Sequence, residues 1–280
     1  MKQVVDWDRR FDHMQQHSGQ HLITAIINEN YKIDTTAWWL GEKVCHIELH
    51  TTKLTDEQLA DIELKCNKKI LEEVPVNVKM YDSKDEAILK ARTRGLPDDV
   101  TGPIRVVEIV GLEDDLCCGT HVKNLSQLQA IKLLYAEKGK KNKTNLFFLA
   151  GGRVLKYLTE CLQREQALTK LLKNEPASHV DLVEKLQQNV KITNKKFSTV
   201  LKELAAYEAN KFKEIKPQPE YYLHYNKEAD SDYLESYWRN LKDYSDVGKT
   251  LFVLAAGEEK GSGNLVLQGN PDVVKELGPQ

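Results

Sequence analysis

His17-Ser18-Gly19-Gln20-His21-Leu22-Ile23-Thr24-Ala25-Ile26-Ile27 is the stretch on which the reading of this chain turns. It holds no proline, and an apolar run follows its second histidine, so it reads as a helix. At positions i and i+4 the two imidazoles stand on one helix face about 6 Å apart, close enough to share an ion. About a hundred residues later stands Cys117-Cys118-Gly119-Thr120-His121, whose ligand-type residues, Cys117 and His121, are again four apart. Gly119 makes this second stretch a tight turn. One pair on a rigid helix and one on a turn assemble three imidazoles and a thiolate, a donor set that suits one tetrahedral zinc ion.

An HxxxH taken alone is more often surface or core histidine than a ligand pair, and the chain carries its own control. His46 and His50 share the spacing, but Val44-Cys45-His46-Ile47-Glu48-Leu49 reads as a strand. There i and i+4 lie about 13 Å apart and cannot chelate one ion. No glutamate follows His46, which also excludes a metalloprotease HExxH motif. Cys117 is preferred to its neighbour Cys118 because only Cys117 has the four-residue spacing to His121. His13, one turn before His17 on the same helical face, leaves a second ambiguity.

The first half alternates helix and strand signals. Strands are predicted at Ala37 to Leu40, Lys43 to Leu49, Val76 to Tyr81 and Ile104 to Val110, and a hairpin at Ala130 to Ala136 and Asn145 to Ala150. Trp38 and Trp39 point to opposite faces of their strand, so at least one belongs to the core. Thr55-Asp56-Glu57-Gln58 is a capping box opening a helix through about Leu71, and Ser83-Lys84-Asp85-Glu86 opens a shorter one. This mixed, non-repeating order argues an α+β sandwich over a doubly wound sheet.

From Val154 the texture changes to long helix. Val183, Leu186, Val190, Thr193, Phe197, Val200, Leu204 and Tyr207 alternate spacings of three and four, the seam of a coiled coil or helical hairpin, with Pro176 at the reversal. Such a pair serves as a spacer or as a surface for self-association. Lys216-Pro217-Gln218-Pro219-Glu220 reads as a linker, and a small α/β module follows, with a helix from Asp232 to Tyr244 and strands at Leu251 to Ala255 and Leu265 to Leu267. The expected domains are therefore 1–153, 154–215 and 216–280.

With 40 basic and 42 acidic residues the net charge is −2, so no overall positive field advertises nucleic acid, and any RNA contact must come from local patches. Five irregularly spaced cysteines, Cys117 and Cys118 adjacent, do not make a secreted disulfide framework. The start has no apolar signal-peptide core and no run approaches a membrane span. A cytoplasmic location is expected. Gly257 to Gly263 lacks a phosphate-loop lysine motif, which argues against nucleotide binding.

Met14-Gln15-Gln16-His17-Ser18-Gly19-Gln20-His21-Leu22, Arg105-Val106-Val107-Glu108-Ile109, Leu116-Cys117-Cys118-Gly119-Thr120-His121-Val122 and Phe147-Phe148-Leu149-Ala150-Gly151-Gly152-Arg153 closely resemble the editing domain of alanyl-tRNA synthetase. They are more similar still to its freestanding relatives, the alanyl-tRNA editing proteins of the AlaX family, in particular the long eukaryotic type. The resemblance is strong from Arg9 to Leu158, with Arg9-Arg10 included, and beyond that concerns architecture. It implies a two-layer editing-domain sandwich and a zinc-dependent hydrolase that removes wrongly attached amino acid, chiefly serine, from alanine tRNA. Where the family's second motif has two glycines after the cysteine, this chain has Cys118 in the first place. A glycine-rich barrel precedes the histidine motif in this type, and only sixteen residues precede His17 here, so the chain reads as a shortened form. The last module resembles the tRNA-engaging C-terminal domain of the synthetase without its glycine- and lysine-rich tail.

An apolar pocket for alanine rejects serine only about a hundredfold, so a second site must recognise the hydroxyl positively. Gln20 and Thr120, each preceding a ligand histidine, are the candidates for lining it; the plain alternative is a surface glutamine and a turn threonine. With three ligands and water, zinc acts as a Lewis acid; with all four it organises the pocket. No separate serine nucleophile arrangement is detectable. Lys138-Gly139-Lys140-Lys141-Asn142-Lys143 is a basic hairpin tip suited to phosphates, or simply solvated, with Lys138, Lys140, Lys141 and Lys143 as the contacts. Arg92, Arg94 and Arg153 are further basic candidates. The competing reading is a catalytically inactive, zinc-stabilised RNA- or partner-binding protein.

Overall fold

A computed structural model of the chain describes residues 2–82, 103–244, 247–258 and 260–277. The helix expected from Ser83, and Arg92 and Arg94, lie outside the described residues. The fold is α+β, and it divides into two compact units, residues 1–167 and 168–280.

In the first unit, helix α1 (Trp7–Tyr31) begins where the Asp6 side chain accepts a hydrogen bond from the Arg9 amide, and it ends with Lys32 in the left-handed region. Strands β1 (Thr35–Trp39) and β2 (Cys45–Leu49) follow, then α2 (Asp56–Leu71) with the full capping box of Thr55 and Gln58. Strands β3 (Val76–Tyr81), β4 (Ile104–Ile109) and β5 (Glu113–Leu116) make an antiparallel sheet in that order. The hairpin of β6 (Ile131–Lys138) and β7 (Thr144–Ala150) joins the first two strands in a sheet of order β1-β2-β7-β6. Leu22, Ile23, Ile26 and Ile27 of α1, Ile62 and Cys66 of α2, Ile47 of β2 and Leu146 and Phe148 of β7 share one core.

Two glutamines set how α1 lies on this sheet. Gln16, fully buried, donates its amide to the Ala150 carbonyl at 2.8 Å and accepts from the Ala150 amide at 3.0 Å, completing the end of β7 as another peptide would. Gln15 donates to the Gln127 carbonyl and accepts from the Gly152 amide. Gly19 lets the helix approach, since a Cβ there would stand 3.0 Å from that of Ala150. These contacts fix the rotation of α1 and hence where His17 and His21 point. Gln16→Met would leave two buried backbone groups unpaired, so urea unfolding should show a loss of about 2–4 kcal/mol.

Helix α3 (Gly152–Leu172) follows β7. Arg153 holds Asp12 through two 2.7 Å contacts and donates to the Gly41 carbonyl. Arg153, one of the further basic candidates, is thus engaged in an ion pair.

In the second unit, α4 (His179–Glu214) leads to β8 (Tyr221–Asn226), α5 (Ser231–Leu241), β9 (Leu251–Gly257), β10 (Gly263–Gln268) and α6 (Pro271–Leu277). The sheet order is β10-β9-β8, with β8 and β9 parallel. Helix α4 packs through Leu201, Ala205, Ala209 and Phe212, against a core that includes Tyr233, Tyr237 and Phe252. Its three-four seam is another stripe: Leu186, Val190, Phe197, Val200 and Tyr207 are all exposed. Burial follows the residues that meet α5 and the sheet, two of them alanines that allow close approach, and not the heptad.

Candidate metal centre

Helix α1 presents His17 and His21 one turn apart with ring centroids 5.0 Å from each other. The other half of the site hangs on the β4–β5 pair. Arg105 of β4 donates to the carbonyls of Cys117 (2.6 Å) and Gly119 (2.8 Å), and the Cys117 amide donates back to the Arg105 carbonyl at 3.3 Å. This clamps the turn after β5. The His121 ring then lies 4.2 Å from that of His17 and 4.6 Å from that of His21, centroid to centroid. One ligand atom from each of His17, His21, Cys117 and His121 falls within 4.8 Å of all the others, a group that could hold a metal ion.

The spacing can be tested against the ion's chemistry. Zn–S near 2.3 Å and Zn–N near 2.0–2.1 Å in a tetrahedron put sulfur and nitrogen about 3.5 Å apart. Cys117 Sγ stands 3.4 Å from His17 Nε2 and 3.3 Å from His121 Nε2. Partners outside the cluster orient two of the rings. His21 Nδ1 meets Asp115 Oδ2 at 3.1 Å, and His121 Nδ1 meets Ser18 Oγ at 3.1 Å, while Ser18 Oγ also accepts from the Val122 amide at 3.0 Å. An Nδ1–H donated to either oxygen leaves the Nε2 lone pair facing the cluster, the tautomer a metal ligand requires. His17 is held differently, its ring stacked on Trp38 at 5.0 Å and 12°. Gly119 is forced, because a Cβ there would stand 2.2 Å from His17 Cε1.

Charge in the cluster is already separated. Burial works to raise the Cys117 thiol, but hydrogen bonds from His121, His17 and His21 outweigh it and bring the thiol down to about 3. For His21, burial works downward, and hydrogen bonds to Asp115 and Cys117 overcome it to lift the ring to about 9. His121 is lowered to about 4 by burial, with the hydrogen bond to Cys117 opposing and the neighbouring His21 charge adding to the fall. The metal-free cluster at neutral pH is thus a thiolate beside a protonated His21, and an incoming divalent ion displaces that proton. Between pH 8 and pH 6 metal affinity should therefore fall with acidification, by about tenfold per unit for the His21 proton alone. Competition with a metal indicator at pH 6 and pH 8 measures this; equal affinity at both would contradict it.

His46 lies in β2 between Trp39 and Phe147, and His50 is exposed; neither belongs to the cluster. Half-buried His13 and exposed Cys118 are also outside it. Gln20 is buried, its amide donated to Thr24 Oγ1 at 3.0 Å, and Thr120 is exposed on the turn. Lys143 pairs with Glu48 at 2.5 Å and holds that carboxyl below its usual range, while Lys138, Lys140 and Lys141 are exposed. Asp115, Ser18, Arg105 and Trp38 are the supporting residues that sequence reasoning left without a role. An acid two residues before Cys117 was the available signal for Asp115.

The α+β fold with this His/Cys cluster is of the aminoacyl-tRNA editing-domain class, and residues 104–149 match the threonyl and alanyl tRNA synthetase second additional domain. Over nearly its whole length the chain is similar to alanyl-tRNA editing protein Aarsd1-A of Xenopus laevis, at 46% identity over 276 residues, covering 99% of this chain and 66% of that protein. It is 41% identical to alanyl-tRNA editing protein Aarsd1 of Bos taurus over 311 residues, covering 99% of this chain and 68% of that one. Alanyl-tRNA editing protein AlaX-L of Pyrococcus horikoshii is 30% identical over 195 residues, 69% of this chain and 47% of that protein. The chain belongs to the alanyl-tRNA editing protein family and spans about two thirds of the length of its animal relatives. Among the described residues no helix is long and apolar enough to cross a membrane.

Proposed function

We propose that this chain is a trans-editing hydrolase that deacylates mischarged alanine tRNA, chiefly seryl-tRNA(Ala), with a zinc ion held by His17, His21, Cys117 and His121. The observation that carries the reading is the convergence of those four side chains in a member of this family. One thiolate and three imidazoles within 4.8 Å suit zinc better than magnesium or calcium, which prefer oxygen. Bound by all four side chains, zinc would organise the pocket and supply positive charge beside the scissile ester.

The chain's own groups do the remaining work. Asp115 and Ser18 hold two imidazoles in the ligating tautomer, and Arg105 keeps the turn in register. The exposed Thr120 hydroxyl, next to His121, is the group proposed to accept or donate a hydrogen bond to the serine side chain. A site that satisfies that hydroxyl disfavours alanine, which leaves the site's polar group unpaired.

Deacylation of seryl- and alanyl-tRNA(Ala), measured side by side with the full chain, tests this. Release of serine with alanine retained is expected, and Thr120→Val should narrow the difference. Retention of both amino acids with the tRNA still bound would instead support the competing reading, a zinc-stabilised binding protein without catalysis.

A further inference from the structure

The outer face of the four-stranded sheet carries a feature with no part in the metal centre. Trp39 pairs with His46, His46 with Phe147, and Phe147 with Tyr135, so one aromatic ring from each of β1, β2, β7 and β6 falls in a single row. Adjacent centroids are 4.5, 5.1 and 4.7 Å apart, and Trp39–His46 and Tyr135–Phe147 are stacked. The next row, Trp38, Ile47, Leu146 and Ala136, points the other way, to the core. The ends of the aromatic row are open, with Trp39 47% and Tyr135 45% exposed.

The position of Tyr135 is not a consequence of simple alternation. Leu133 faces the core, and two residues on, Tyr135 should do the same. The register shifts between Leu133 and Tyr135, and this bulge re-aims the tyrosine to the solvent side. A sheet that interrupts its own ladder exposes an aromatic ring where burial was available. The hairpin bearing Tyr135 and Phe147 is also basic: residues 131–150 hold Lys132, Lys138, Lys140, Lys141 and Lys143 against Glu137 alone. Lys132 and Lys143 are taken by Glu63 and Glu48, leaving Lys138, Lys140 and Lys141 exposed at the turn. His46 is held below its usual value by burial, with Glu48 opposing, which keeps the ring uncharged for stacking at neutral pH.

We propose that this face is a stacking platform for unpaired bases of an RNA, with Lys138, Lys140 and Lys141 taking the adjoining phosphates. It rests on the tRNA reading above and adds a contact surface to it. Because Trp39 stacks on His46 and Tyr135 on Phe147, the ring faces left for bases are the outer ones of Trp39 and Tyr135 at the two ends of the row, about one base each. Rings supply affinity that tolerates sequence, and lysines supply the salt-dependent part.

The test is binding of uncharged alanine tRNA to the full chain over a series of salt concentrations, alongside serine release from seryl-tRNA(Ala). The double variant Trp39→Leu, Tyr135→Leu should bind about tenfold or more weakly at every salt concentration, with an unchanged slope of log affinity against log salt. Trp39→Phe with Tyr135→Phe should bind like the parent. Replacing the three lysines by glutamine should flatten the slope instead. Parental tRNA affinity in the leucine variant would overturn the platform while leaving the editing reading standing, because the parent would still release serine. A leucine variant that loses thermal stability but no affinity equally overturns it, the row then serving only as cross-strand packing; should that variant not fold, Tyr135→Leu alone at the sheet edge decides in the same way. A parent chain that neither binds the tRNA nor releases serine overturns both.

Discussion

Protein carrying His17→Ala and Cys117→Ala together is expected to retain less than about a tenth of the zinc found in the parent chain. The two residues come from opposite halves of the site, one from α1 and one from the clamped turn after β5. Their removal leaves His21 and His121, whose rings are 4.6 Å apart at their centroids, with no thiolate between them. Two imidazoles open to competing water are a weak site. Heat denaturation gives a second readout, since an ion that binds only the folded chain stabilises by about 4 kcal/mol when present at a thousand times its Kd. A chelator should lower the Tm of the parent and leave that of the double variant where it was. Full zinc content in the variant would remove the assignment.

Gly119→Ala is expected to weaken zinc binding about ten- to a hundredfold, although glycine is not a ligand. The new methyl would lie 2.2 Å from His17 Cε1 and 2.6 Å from its Nδ1. Something must move, and both candidates matter. The ring is wedged against Trp38, and the turn is tied by Arg105 to the carbonyls of Cys117 and Gly119. Displacing the ring takes one nitrogen out of the cluster; displacing the turn moves Cys117 and His121 together. Cys118→Ala is the matched control, being one residue away, exposed and outside the cluster, and it should keep parental affinity. Equal affinities for Gly119→Ala and Cys118→Ala would show that the close packing of turn on helix is not what assembles the site.

Much of this site was legible in the chain itself because its halves obey local rules. A helix places i and i+4 on one face, so His17 and His21 could be paired before any fold was known. The alternation of Cys45, Ile47 and Leu49 correctly marked His46 as a strand residue. What could not be read depends on contacts between distant segments. Glu113-Asp114-Asp115-Leu116 has the composition of a loop, yet it forms β5 because Ile109, Glu108, Val107 and Val106 offer it a pairing edge, and that pairing delivers Asp115 to His21. Tyr221 to Asn226 was passed over beside a proline-rich linker, though its alternating burial is that of an edge strand paired in parallel with β9. The seam on α4 was visible but not its use, since which stripe is buried depends on where Phe252 and Tyr237 arrive. The bulge before Tyr135 is marked only by the doubled Leu133-Leu134, which breaks the alternation begun at Ile131.

X-ray absorption at the zinc edge of the metal-loaded chain tests the four-residue centre most directly. The expected shell is one sulfur at about 2.3 Å and three nitrogens at about 2.0–2.1 Å, with one zinc per chain. A shell without sulfur, or one with two sulfurs drawn from both Cys117 and Cys118, would contradict it.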